Sequence, residues 1–235
     1  MLLETPKRHR FPATIISHCV WLYHRFCLSF RDIEEILAKR GVVVSYETIR
    51  LWCKKFGLAF CNTLRKREPK RGDKWHLDEI ITKLNGEKYI LWRAVDAEGF
   101  ELDVLLQKRK NKKAAIRFLK KLLGSHPVPR VMVTDKLRSY LTPIKTLCPE
   151  TDHRRHKGLN NRVENAHQPT RRREKSLVKM KCPHGAQRLL SLMGRTRNLF
   201  AVAVGRYKNP VDIRRQKQAQ AFKIWNEAAA EVLCA

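Results

Sequence analysis

Acidic residues are scarce: 22 Asp+Glu stand against 50 Lys+Arg, for a formal net charge of +28. So large an imbalance calls for an anionic partner, and nucleic acid comes first, because each neutralised phosphate releases counterions. A merely solvated basic surface, as on a ribosomal or chromatin protein, is the bland alternative. Long apolar runs are also missing. None approaches membrane-span length, and the start, MLLETPKRHRF, has no apolar stretch of a signal peptide, which weighs against a membrane partner and against secretion. The seven cysteines (Cys19, Cys27, Cys53, Cys61, Cys148, Cys182 and Cys234) form no CxxC pair. Cys182 with His184 has the spacing of half a zinc site without a second half, so buried or incidental thiols are the better reading, and an odd number of unpatterned thiols fits a reducing cytoplasm. There is no internal repeat and no low-complexity tract.

What is present folds: 43% of residues are hydrophobic, and 235 residues suffice for one good core plus a small second domain. Ile15, Ile16, Cys19, Val20, Tyr23 and Phe26 recur at helical spacing. Ser29 and Asp32 form a capping-box pair at the start of a second helix with the stripe Ile33, Ile36 and Leu37, ended by Gly41. A third helix follows Ser45, carries Ile49, Trp52 and Phe56, and is expected to end at Gly57. The short turn between the last two helices predicts a helix-turn-helix, whose second helix would offer Tyr46, Glu47, Thr48 and Arg50 to DNA base edges. An ordinary helical hairpin is the competing reading. Residues 57–74 look like a basic linker with Pro69 and Gly72.

A strand pattern then begins. Trp75 to Leu84 is the first strand, Asn85-Gly86 a hairpin turn, Tyr89 to Val95 the second strand, Ala97-Glu98-Gly99 a turn, and Phe100 to Leu106 the third strand. Asn111 caps a helix with the stripe Ala115, Phe118, Leu119 and Leu122, ended by Gly124. The short apolar strand Arg130 to Thr134 then runs into Asp135. The predicted order is β-β-β-α-β, with a mostly helical, basic remainder.

Three carboxylates stand out against this background. Asp78 sits inside the apolar strand WHLDEI, where a charge is costly without a partner. Alternation puts Asp78 and Glu79 on opposite faces and leaves open which of them is the more covered. Asp135 ends a strand, where ligands gather in open sheets, although it would also serve as a helix N-cap. If the first and fourth strands are parallel neighbours, Asp78 and Asp135 lie about 5–10 Å apart. A divalent cation with oxygen ligands would relieve their repulsion. From Arg154 to Lys217 there are 18 Lys/Arg and three acids, Glu164, Glu174 and Asp212. On local grounds either Glu164 or Glu174 is a candidate third carboxylate, and either is equally explained as an offset to nearby arginines.

The segments WHLDEI, KYILWRAVD, VTDK and HKGLNNRVENAHQPTRRREK, on a β-β-β-α-β frame, resemble the DDE transposases of bacterial insertion sequences, most closely the insertion-sequence family numbered six. The resemblance covers nearly the whole chain. It implies an α/β, RNase H-like catalytic domain with a mixed sheet, preceded by an N-terminal all-α helix-turn-helix domain. It implies that Asp78, Asp135 and Glu164 are catalytic and bind two Mg²⁺ ions, with Mn²⁺ able to substitute. Glu164 is chosen over Glu174 because it follows the pair Asn160-Asn161. Arg171, seven positions after Glu164, falls where the family has a basic residue that contacts DNA, and Lys136, Arg172 and Arg173 are taken as further DNA contacts. Asp135 and Glu164 are 29 positions apart, read as a shortened connection. Pro169 predicts that the helix bearing Glu164 kinks or stops near Gln168.

The expected organisation is a helix-turn-helix domain over 1–60, a basic linker over 61–73, the catalytic domain over 74–185 and a C-terminal helical segment over 186–235. The expected function is metal-dependent DNA strand cleavage and transfer at terminal inverted repeats. Its partners would be double-stranded DNA, both repeat and target, and further copies of the chain in a homodimer or larger assembly. The expected location is the bacterial cytoplasm, at the nucleoid. A decayed copy or regulator that binds DNA without cutting, an RNase H-like nuclease, and a basic structural RNA-binding protein are the alternatives. The last leaves the carboxylates unexplained.

Overall fold

A computed structural model of the chain describes residues 5–69, 72–135, 138–156, 161–176, 182–201 and 210–234. The chain divides into two units, Met1–Glu68 with Leu192–Ala235, and Pro69–Ser191. Among the described residues no helix is long and apolar enough to cross a membrane.

The first unit is helical. It holds α1 (Ala13–Arg25), α2 (Phe30–Ala38), α3 (Tyr46–Arg67), α8 (Pro210–Leu233) and the last turns of α7 (Pro183–Leu199). The start of α2 is the predicted capping box: the Asp32 amide donates to Ser29 Oγ (3.1 Å) and the Ser29 amide to the Asp32 carboxylate (2.7 Å). Gly41, at φ +76°, turns the chain after α2, and Ser45 caps α3 by accepting from the Thr48 amide. The expected end of α3 at Gly57 is corrected, since the helix runs on to Arg67 and takes up residues assigned to a linker. Burial of Phe60, Cys61 and Leu64 continues the apolar stripe. That burial outweighs the roughly 1 kcal/mol that one mid-helix glycine costs.

The C-terminal helix α8 completes this core. Its Ala221, Trp225, Ala228, Ala229 and Leu233 are buried in the same cluster as Ile16, Ile33, Ile49 and Phe60. Trp225 stacks on Phe60 with ring centroids 4.8 Å apart and planes 10° from parallel. Thr63 donates to Glu231 (3.1 Å), which also pairs with Arg67. In α7, Arg195 pairs with Glu68, and Asn198 donates to the same carboxylate at 3.1 Å.

The second unit is built on a sheet ordered β3-β2-β1-β4-β5. Strands β1 (Lys74–Leu84), β2 (Glu87–Asp96) and β3 (Glu101–Gln107) are antiparallel. Asn85 and Gly86 both take positive φ (48° and 86°), the two-residue hairpin turn their sequence predicts. Asp96 Oδ1 accepts from the amides of Glu98 and Phe100 and shapes the second turn. Asn111 caps α4 (Lys112–Leu123), whose Ala115, Phe118, Leu119 and Leu122 are buried against Trp75, Leu77 and Trp92 of the sheet. Strand β4 (Val131–Thr134) then pairs parallel to β1, from Lys74↔Val131 to Leu77↔Thr134. A 3-10 turn (Arg138–Tyr140), α5 (Leu141–Leu147) and β5 (Asp152–Arg155), parallel to β4, follow. Sequence reading found neither α5 nor β5, because DHRR has no apolar alternation and three of its four side chains are exposed. Three antiparallel strands, a helical crossover and two parallel strands define the RNase H-like fold.

Helix α6 (Asn161–Ser176) is continuous through Pro169, so of the expected kink or stop near Gln168 the stop is corrected. The Arg93 guanidinium donates to the carbonyl of Ala166 (2.5 Å), in the turn whose hydrogen bonding the proline disturbs.

If α8 belongs to the core of the helical unit, Trp225→Ala will lower the stability of that unit by about 3–5 kcal/mol in chemical denaturation. A loss under about 1 kcal/mol would be the cost of a surface change and would remove α8 from that core.

Candidate active site

The register of β1 against β4 builds the site. Pairing ends at Leu77↔Thr134, so the next residue on each strand, Asp78 and Asp135, emerges at the same level. Where β4 ends, β1 runs on, and the carboxylates of Asp78, Glu79 and Asp135 converge beside that end. Each brings one oxygen within 4.8 Å of the others. Alternation along β1 sorts the neighbours. Glu79 lies on the face covered by Tyr140 and α4, with its side chain 1% exposed, whereas the Asp78 side chain is 21% exposed. The question left open by the sequence is thus settled: Glu79 is the covered acid.

Sequence reading weighed Glu79 only for its burial and did not name it a site residue, although its position beside Asp78 on a buried strand was the available signal. Tyr140 donates to one of its oxygens (3.0 Å) and Lys110 Nζ lies 2.5 Å from the other. Burial pushes its carboxyl up from the ordinary 4.5 to about 7, against the pull of Lys110 and with help from Asp135. Burial and the adjacent Glu79 also raise the Tyr140 phenol, so it stays a donor.

The other face of the sheet carries α6. Val163 and Ala166 pack with Val95. His167, fully buried, brings Nε2 to 3.4 Å from Asp78 Oδ2. Burial lowers its pKa to about 4, with Asp78 opposing and the Arg93 charge adding to the drop. Arg93, opposite Asp78 in the β1–β2 register, is 3% exposed and pairs with Glu101 at 2.9 Å. A buried charge in the apolar strand KYILWRAVD was a signal that sequence reading passed over.

Glu164 lies on α6 three positions before His167, hence one turn away on the same side of the helix. Its side chain, like the whole of Lys136, is outside the described residues. Arg171 and Arg172 are exposed. Arg173 is 6% exposed and is not presented as the surface DNA contact expected of it. Consecutive helical residues point about 100° apart, so three in a row do not share one exposed face. At the start of α3, Glu47 and Thr48 are exposed and Tyr46 is 39% exposed beneath the Arg31 guanidinium, 4.9 Å from the ring centroid. Arg50 is held by Glu47 at 2.5 Å.

The donor set is all oxygen, clustered midway along β1 beside the end of β4, which suits a hard divalent cation. A sheet of this order with acidic residues at the junction of β1 and β4 defines the class of RNase H-like, metal-dependent enzymes. The family model described as "DDE domain" matches residues 72–203. The chain is 34% identical over 163 residues to the transposase for the insertion sequence-like element IS431mec of Staphylococcus aureus, covering 67% of this chain and 73% of that one. The transposase for insertion sequence element IS257 in transposon Tn4003, from the same species, matches to the same extent. The chain therefore belongs to the DDE transposases of insertion-sequence family six. Among solved structures it is similar to the HTLV-2 integrase catalytic core domain in complex with magnesium, at 19% identity and a TM-score of 0.42, over 59% of this chain and 90% of that one.

The raised Glu79 has a consequence for stability. Between pH 4.5 and about 7 the folded, metal-free protein keeps a proton that the unfolded chain has lost. The contribution of this group to stability therefore falls as pH rises through that window, by up to about 3 kcal/mol. Glu79→Gln will flatten this part of the pH–stability curve in EDTA and stabilise the protein at pH 8. An unchanged slope would show that Glu79 is ionised throughout.

Proposed function

We propose that Asp78, Asp135 and Glu164 hold two Mg²⁺ ions with which this transposase cleaves DNA at the ends of its insertion sequence and joins them to a target. The convergence of Asp78 and Asp135 at the end of β4 carries this reading. The ions would activate the attacking oxygen and stabilise the leaving one in an in-line displacement at phosphorus. The protein's part is positional. The β1–β4 pairing sets Asp78 and, one residue past β4, Asp135 at the same level, and Glu164, three positions before His167 on α6, would complete the set. Glu79 is left out of the ligand set, since Lys110 and Tyr140 already engage both its oxygens. Water would attack first and free a 3′-hydroxyl, which then attacks target DNA.

Tyr46, Glu47, Thr48 and Arg50, at the start of α3, would meet the terminal inverted repeats, with Glu47 also pairing with Arg50. Arg171 and Arg172 are exposed for contacts to the DNA backbone, which position without reading sequence. Two ends must be held together for joining, which calls for a dimer or larger assembly on DNA, at the nucleoid of a bacterial cell.

The test is cleavage and joining of a duplex carrying the element's own end, in Mg²⁺ or EDTA. Product will require Mg²⁺, and Asp135→Asn will reduce it on the order of 10³-fold or more, the scale of several kcal/mol of lost charge stabilisation, while leaving DNA binding intact. Tight binding by wild type with no product in Mg²⁺ would favour a copy that binds without cutting.

A further inference from the structure

Arg93, His167 and Asp78 form a chain of contacts that the carboxylate chemistry above does not use. Arg93 Nη1 lies 3.1 Å from His167 Nδ1. A guanidinium donates and never accepts, so Nδ1 must be the unprotonated, accepting nitrogen and Nε2 must carry the hydrogen. That Nε2–H is buried, has no well-formed hydrogen bond among the described residues, and faces Asp78 Oδ2 at 3.4 Å. Arg93 is itself fixed on several sides: Nη1 donates to the Ala166 carbonyl (2.5 Å), Nη2 to Thr170 Oγ1 (2.8 Å), and Nε pairs with Glu101 (2.9 Å).

We propose that His167 is a positioning residue for the metal site: Arg93 locks it as the Nε2–H tautomer, and that N–H orients the Asp78 carboxylate toward the cation. This rests on the reading of Asp78 as a metal ligand. The interposed imidazole has a physical reason. A guanidinium placed directly on Asp78 would cancel the charge that attracts the cation, whereas a neutral N–H orients the carboxylate and leaves its charge available. Glu101 meanwhile balances Arg93 within the sheet. The same contacts tie α6, and with it the backbone of Glu164, to the strand opposite Asp78.

Two measurements test this. In the wild-type chain, ¹⁵N-histidine NMR at neutral pH will show His167 unprotonated at Nδ1 and protonated at Nε2. The opposite tautomer overturns the proposal, and no substitution is needed to see it. In Mn²⁺ binding to the full chain by electron paramagnetic resonance, His167→Phe will weaken affinity about 10–100-fold, the usual effect of losing a group that orients a metal ligand. His167→Gln, which keeps an N–H near the place of Nε2, will recover most of that loss. Glutamine as weak as phenylalanine, with both variants folded, overturns the role of the N–H. Wild-type binding unchanged in His167→Phe overturns the proposal and leaves the carboxylate reading standing. A wild-type chain that takes up no Mn²⁺ removes that reading and the proposal together.

Discussion

Two like charges, one midway along β1 and one just past the end of its neighbour β4, repel, and the second unit is arranged around that repulsion. At about 5 Å and an effective dielectric constant near 20, a pair of carboxylates costs on the order of 3 kcal/mol. The β1–β4 pairing imposes this cost, because its last register pair is Leu77↔Thr134 and the next residue on each strand is acidic. A third acid, Glu79, stands within reach of both. Among the described residues the surroundings answer with donors, a cation among them: Tyr140 and Lys110 at Glu79, and His167 beside Asp78. Such an arrangement is poorly justified as architecture and well justified as a cation site, where the repulsion becomes attraction for the ion.

The two faces of the sheet divide the work. On one, α4 and Tyr140 close over Trp75, Leu77, Trp92 and Glu79 in an apolar environment that disfavours charge. On the other, Arg93 and Glu101 form a buried ion pair whose remaining donors reach into α6. Breaking such a pair from one side leaves an uncompensated buried charge. Arg93 therefore holds α6 to the sheet without contributing a ligand, through the Ala166 carbonyl and the Thr170 hydroxyl.

Much of this was legible in the residues. Asn85-Gly86, Asn111, Gly124 and the alternation of Trp75 to Leu84 specify local geometry by chemistry that acts within a few residues, and the strand order followed from them. The capping box at Ser29 and Asp32 was equally local. What escaped depends on distant partners. Strand β5 is polar because it lies at the sheet edge, so no pattern marks it. The continuation of α3 past Gly57 depends on α8, more than 140 residues later in the chain. Helix α6 runs through its proline while a guanidinium on β2 reaches the Ala166 carbonyl, a contact no local pattern announces, and Arg173 is buried by a helical phase that the basic run conceals. The placement of Glu79 needed the knowledge of which sheet face α4 covers.

The helical unit is discontinuous in the chain, with residues 69–191 lying between its two parts. Phe60 leaves the ribosome long before Trp225, the ring that stacks on it. During synthesis the RNase H-like unit is therefore complete while the apolar side of α3 still waits for its cover. A messenger cut short before α8 would yield chains with the carboxylate-bearing sheet intact and the other core open, a species disposed to aggregate rather than to settle on DNA.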